Sequence, residues 1–185
     1  MLVLSAESVA GRVLAAEPKL GSVRLLAIDG PSGSGKSTLA AAVIAELRTQ
    51  DVSVALVRTD EFATWEHPVS WWPRLVEGVL EPLRAGRPGQ YRRMDWTTGS
   101  PQLGALVTVD VPAVLVLEGV SSGRSSVRPL LSYLCWVEGP DQALRLERAV
   151  ARDGESSRGA LQAWQAFERG WFAVDRTGQH AVSKG

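Results

Sequence analysis

The stretch LLAIDGPSGSGKSTLA, Leu25 to Ala40, constrains the fold more than any other part of the chain. An apolar run of strand character enters a glycine-rich turn, and a lysine, a serine and an alanine- and leucine-rich helix follow. The turn fits G-x-x-x-x-G-K-[ST], with Gly30, Gly35, Lys36 and Ser37 at the fixed positions. Gly30, Gly33 and Gly35 admit backbone conformations closed to residues with a Cβ, so that successive N–H groups can point inward at phosphate oxygens. The helix starting near Lys36 adds the positive end of its dipole. In this motif Lys36 reaches the β- and γ-phosphates and the Ser37 hydroxyl ligates Mg²⁺. The expected phosphate-binding set is Gly30, Ser32, Gly33, Ser34, Gly35, Lys36, Ser37 and Thr38. Such a pattern also arises by chance, but here it lies between a strand and a helix, where the mechanism needs it.

The rest of the chain alternates strands and helices. A helix over about residues 5–16 precedes the first strand, VRLLAID. The helix KSTLAAAVIAELRTQ forms by propensity, and the strand VSVALVRT delivers Asp60 at its end. A loop rich in Trp, His and Pro leads to a helix from Ser70 to Arg84, ended by AGRPG. QYRRMDW and ALVTVD pair as a hairpin. The third strand of the main sheet, AVLVLEG, is apolar up to Glu118, as suits a parallel strand covered on both faces. SYLCWVEG is the fourth; the helices PDQALRLERAVARD and SRGALQAWQAFERGWFAVDR follow it. The alternation predicts an α/β fold, a parallel central sheet with helices on both faces. Ligands of such sheets sit at the carboxyl ends of the strands, where Asp29, Asp60 and Glu118 lie.

The chain of 185 residues suits a single domain with a sizeable core. Its formal net charge is zero, which argues against a nucleic-acid or membrane surface recognised by bulk charge. Only Lys19, Lys36 and Lys184 are lysines; arginine supplies the remaining basic residues, a bias that phosphate clamping or GC-rich coding would produce alike. One cysteine, Cys135 in LSYLCWV, excludes an internal disulfide and reads as a buried core thiol. His67 and His180 are too few for a histidine metal centre. No apolar run reaches the roughly eighteen residues that span a membrane, and the start lacks the basic head of a signal peptide. Cytoplasmic is the expected location.

Asp60, in RTDEF, is placed to orient an acceptor hydroxyl and take its proton; by position alone it reads equally as a turn residue or helix cap. Glu118 is suited to hold Mg²⁺ beside Ser37, directly or through water. Asp29 immediately precedes the loop and either tunes the metal or, the favoured reading, braces the backbone. Arg148 and Arg152, four apart with Arg145 a turn earlier, share a helix face that could clamp a transferring phosphate or simply face solvent with Glu147 and Asp153. Arg158 has less support. Of seven tryptophans, Trp65, Trp71, Trp72 and Trp96 precede the third strand; most read as core, with one able to stack on a substrate ring.

With these residues placed, the chain resembles the uridine kinase family of P-loop nucleoside kinases from about Val23 to Asp175. TDEF is similar to the family's Asp-x-Phe/Tyr, which implies Asp60 as general base and Phe62 beside the acceptor. WEHP is similar to its Asp-His-Pro segment, with Glu66 in place of Asp and His67 at the acceptor. YRRMDW resembles its Tyr-Asp-Phe hairpin, implying Tyr91 near a nucleobase. LEG matches the strand-end Glu-Gly, and RLERAVARD resembles the lid helix, implying Arg148 and Arg152 on phosphate. The implied fold is a P-loop NTPase three-layer sandwich with a small helical lid. One domain spans 1–185, with a substrate-binding insertion at about 62–109 and a lid at about 145–160. ATP and Mg²⁺ are the implied cofactors, and a small-molecule phosphate acceptor is the implied partner. No nucleic-acid or membrane partner is expected, and a homo-oligomer is left open.

Two departures bear on the acceptor. Arg92 and Arg93 are extra residues in the hairpin motif and could pair with an anionic acceptor, and the chain ends in HAVSKG where a final strand is expected. The leading reading is a kinase acting on a uridine- or cytidine-like nucleoside or a similar hydroxyl compound. The alternatives are a nucleoside-monophosphate, antibiotic or sugar kinase, and a non-catalytic nucleotide-binding module. A guanine-specific switch is disfavoured, because Asn-Lys-x-Asp needs asparagine and the chain has none.

Overall fold

The computed structural model describes residues 5–184; Met1–Leu4, within the segment read for a signal peptide, and Gly185 lie outside the described residues. Helix α1 (Ala6–Ala15) starts where the Ser5 hydroxyl accepts the Ser8 N–H at 3.1 Å. Strand β1 (Arg24–Asp29) runs into the phosphate loop, from which α2 (Lys36–Thr49) emerges. Strand β2 (Val54–Arg58) follows, then helical turns α3 (Trp72–Leu75) and α4 (Glu81–Arg84), joined by one wide π turn over Val76–Leu80. The hairpin is β3 (Gly89–Asp95) with β4 (Gln102–Val109). Then come β5 (Val114–Glu118), β6 (Leu131–Trp136), α5 (Gln142–Asp153), α6 (Arg158–Asp175), α7 (Thr177–His180) and β7 (Ser183–Lys184).

The main sheet has the order β2-β5-β1-β6-β7, with every neighbouring pair parallel. Side chains along a strand alternate between faces, and this divides the core in two. Leu26 and Ile28 of β1, with Val114 and Val116 of β5, pack against α1 and α2 through Val9, Val13, Val43 and Leu47. Leu25, Ala27, Leu115 and Leu117 face the other way, onto Phe62, Leu75, Val79, Leu83 and Tyr91. Both faces are therefore covered, which is why β5 is apolar without interruption. Fully burying each such Leu, Ile or Val contributes about 1.5–3 kcal/mol.

The hairpin lies across the second face, pressed on the helical segment at its π turn. A Cβ on Gly78 would sit 2.6 Å from the Gln90 carbonyl oxygen, so glycine is what allows the two backbones to meet. The sequence leaves open whether HAVSKG completes the sheet. The segment after α7 does complete the sheet edge, with Ser183 and Lys184 paired to Cys135 and Trp136 of β6.

Candidate active site

Strand ends β1, β2 and β5 open on one rim. Glu118 stands in register between Ile28 of β1 and Arg58 of β2, and Asp60 follows Arg58 in a 3-10 turn, Thr59–Glu61.

The phosphate loop fills the space above β1. Gly33 has φ 75, and a Cβ there would lie 2.5 Å from the Arg145 carbonyl oxygen, so the loop packs directly on the first turn of α5. Helix α2 is preceded by Gly35 at φ 102 and has no side-chain cap, leaving its first-turn N–H groups open to an anion. Ser34 is buried with its hydroxyl unpartnered among the described residues. Lys36 is 7% exposed, and its Nζ donates to the loop's own Pro31 carbonyl at 2.9 Å. An uncapped helix start, an orphaned hydroxyl and a buried lysine fit the phosphates of a nucleotide.

Ser37 Oγ donates to Glu118 Oε1 at 3.2 Å. A hydroxyl and a carboxylate meeting beside a phosphate loop are the oxygen donors Mg²⁺ takes when phosphates and waters complete its shell. No three His, Cys, Asp or Glu side chains cluster as metal ligands among the described residues. Burial pushes the Glu118 carboxyl up, with Asp60 adding to the rise and Lys36 and Ser37 opposing it.

Asp29 is fully buried and accepts three backbone N–H groups: Gly30 at 2.7 Å, Ser121 at 3.1 Å and Gly123 at 2.8 Å. It braces the phosphate loop against the loop after β5. Burial still wins over those bonds and the nearby Lys36, raising its pKa to about 7.

Asp60 lies at the mouth of a cavity of about 250 Å³ whose lining also includes Arg58, Glu61, Arg93, Asp95 and Trp96. Its residue surface stays open to solvent although protein atoms crowd the carboxyl. That crowding and neighbouring Glu61 push its pKa up, against Arg58, Arg152 and Lys36. The Trp96 indole donates to the Asp60 carbonyl at 3.0 Å, fixing the backbone that carries the acid.

The structure separates the other acceptor candidates. Phe62 and Tyr91 belong to the core at 1% and 6% exposure, their rings stacked 4.6 Å apart, and the Tyr91 hydroxyl donates to Glu61. His67 is exposed in a turn with Thr64, and neither it nor Glu66 lines the cavity. On α5, Arg152 makes a two-pronged contact with Asp153, both bonds 2.6 Å, while its charge is felt at Asp60 and Glu118. Arg148 is exposed and makes no hydrogen bond or ion pair among the described residues. Arg158 is held by Glu147 and Glu155, away from the rim carboxylates.

Sequence reasoning missed Glu168. This residue of α6 is 2% exposed and accepts the Ser32 N–H at 3.0 and 3.1 Å, the Ser32 hydroxyl, and the Trp164 indole N–H at 2.6 Å. Trp164 in turn meets Trp65 edge-on, and Trp65 meets Trp96 the same way. The tryptophans thus connect the acid beside the loop to the backbone of Asp60. The only signal for this was Trp164 and Glu168 at a spacing of four on one helix.

No protein-family model matches the sequence, and no curated protein matches it. Solved structures do. A possible uridine kinase from Bacillus stearothermophilus aligns with TM-score 0.69 and 20% identity over 97% of this chain and 96% of its own. A candidate fructose transport system kinase from Silicibacter sp. TM1040 aligns with TM-score 0.66 and 19% identity over 98% and 99%. Among the described residues no helix is long and apolar enough to cross a membrane. The chain has the α/β fold of the P-loop kinases, the fold that its resemblance to the uridine kinase family implies.

Proposed function

We propose that the protein is an ATP- and Mg²⁺-dependent kinase that transfers the γ-phosphate to a hydroxyl of a nucleoside or a similar small molecule. One observation carries this reading: Lys36, the Ser37–Glu118 pair and Asp60 stand on a single rim, where the Asp60 charge is felt at Glu118 and the Lys36 charge at both acids, and Asp60 also lines a cavity. The loop N–H groups and Lys36 would hold the phosphates, and Ser37 and Glu118 would hold the metal. Bound Mg²⁺ neutralises charge on the β- and γ-phosphate oxygens. Asp60 orients the acceptor hydroxyl and takes its proton, for which a raised pKa suits a base working near neutral pH. Arg148 and Arg152 reach the transferring phosphate when α5 closes as a lid over about 145–160, and the insertion at about 62–109 holds the acceptor. Likeness to two chains described as kinases agrees with this. The core positions of Phe62 and Tyr91 take both rings away from stacking on a base, which also admits a sugar as acceptor.

The test is coupled ADP release over nucleosides, nucleotides, sugars and aminoglycoside-like alcohols, with two variants. Lys36→Ala should lose transfer by about 10²–10³. Asp60→Asn should keep Mg·ATP affinity within a few-fold, measured by calorimetry, and lose about 10²–10⁴ in transfer. Near-normal turnover in Lys36→Ala overturns the reading.

A further inference from the structure

The cavity beside Asp60 has a charge pattern that narrows the acceptor. Of its acids, Asp95 accepts the Thr97 N–H at 2.9 Å, and Glu61 accepts the Tyr91 hydroxyl and lies 4.0 Å from Arg58. Arg58 is also 3.7 Å from Glu118. Arg58 is thereby shared between Glu61 and Glu118, while Asp95 is held by a backbone donor. Arg93 differs: it lines the cavity and makes no hydrogen bond or ion pair among the described residues, sensing Asp95 and Tyr91 only at longer range.

Strand alternation explains why Arg93 points there while Arg92 does not. Arg92 pairs with Leu106 and Met94 with Leu103, so Gly104 and Ala105 of β4 together stand opposite Arg93, and the extra residue lies on β4. Along β3 itself neighbouring residues face opposite sides. Arg92 stays on the hairpin, its guanidinium donating to the Gly104 carbonyl at 3.1 Å and its own carbonyl accepting from Arg74 at 2.9 Å. One unpaired guanidinium is thus aimed into the space that holds the candidate base.

We infer that the acceptor carries an anionic group, a carboxylate or a phosphate, which Arg93 binds while its hydroxyl meets Asp60. The inference rests on the kinase reading. Guanidinium presents a planar fork that matches either oxyanion with two parallel bonds. A neutral nucleoside or sugar would leave that fork unmatched. Arg93 therefore selects the acceptor, and Asp60 activates it.

The experiment compares matched acceptors with the full chain, Mg·ATP and coupled ADP release. Gluconate against glucose tests the carboxylate; fructose 6-phosphate against fructose and uridine 5′-monophosphate against uridine test the phosphate. In at least one pair the anionic member should have the higher kcat/KM. Arg93→Ala should raise its KM by about 10–100-fold, the value of a charge-assisted bond, with a smaller change in kcat. Arg93→Lys should recover part of the loss, and thermal unfolding should match the wild type because Arg93 is exposed. Calorimetric titration of the same anions, with a non-hydrolysable ATP analogue present, reads binding without turnover and should show the same loss in Arg93→Ala. Lys36-dependent phosphorylation of the neutral members with equal or higher kcat/KM, or an unchanged KM in Arg93→Ala, overturns the inference and leaves the kinase reading standing. Absence of Lys36-dependent ADP release with every member overturns both.

Discussion

Replacing Glu168 tests whether α6 holds the phosphate loop. Glu168→Ala leaves the Ser32 N–H, the Ser32 hydroxyl and the Trp164 indole without an acceptor at a site 2% exposed. A hydrogen bond to a charged group contributes about 1.5–3 kcal/mol. The three share one carboxylate and water can enter the space left by alanine, so the loss should be about 3–5 kcal/mol rather than the sum. For a chain of 185 residues, each kcal/mol shifts Tm by about 2–4 °C, which gives a fall on the order of 10 °C. Glu168→Gln discriminates further. Its carbonyl oxygen can stand where Oε1 does and keep Trp164 and the Ser32 hydroxyl, but its amide then opposes the Ser32 N–H. The cost should be about 1–2 kcal/mol, between wild type and alanine. Thermal unfolding followed by far-UV circular dichroism measures both. If Glu168→Ala unfolds with the wild type, or if glutamine is as damaging as alanine, the shared carboxylate is not what joins helix to loop.

Asp29 and Trp96 yield two further outcomes. Asp29 is raised from 3.8 to about 7 in the fold, so the native state binds its proton more tightly than the unfolded chain does. Its favourable contribution is complete below 3.8 and disappears as pH rises through about 7. In urea titrations, the stability advantage of the wild type over Asp29→Asn should narrow across that window; a pH-independent gap refutes it. Trp96→Phe keeps a ring against Trp65 but removes the donor to the Asp60 carbonyl. Stability should drop by less than about 1.5 kcal/mol, while transfer falls about 10–100-fold at an unchanged KM for Mg·ATP as Asp60 loses its orientation. Unaltered steady-state transfer would mean that Asp60 is held by other means.

Local physics made the phosphate loop legible, because GPSGSGKST carries its backbone requirements in its own residues. The strand VLVLE was equally plain, since a parallel strand covered on both faces has no reason to alternate. Other features depend on partners far along the chain. The π turn over VEGVL carries only Gly78 as a local signal, and the wide turn coincides with the backbone approach between Gly78 and Gln90. Glu168 reads as one more polar residue of an amphipathic helix until Ser32, 136 positions away, packs on it. The two-residue strand β7 has little propensity of its own and exists through β6. For Tyr91, the motif resemblance set the position in the hairpin but not its neighbours; the hydroxyl partner, Glu61, comes from the turn after β2. The doubled arginine was visible as an insertion, but which of the pair lines the cavity depends on how the folded hairpin lies beside the turn after β2.

The tryptophan arrangement gives the protein an optical consequence. Trp164 shares the Glu168 oxygen with Ser32 of the phosphate loop, while Trp96 donates to the Asp60 carbonyl at the edge of the neighbouring cavity. Trp65 meets both edge-on, with ring centroids 5.9 Å from Trp164 and 5.0 Å from Trp96. Indole emission responds to the charge and hydrogen bonding at its nitrogen, so a polyanion entering the loop acts on one chromophore and an acceptor entering the cavity on the other. At these separations excitation passes readily among the three rings. Either ligand therefore changes emission from the whole trio, and replacing Trp65 with phenylalanine divides that shared signal into a donor-site reporter and an acceptor-site reporter.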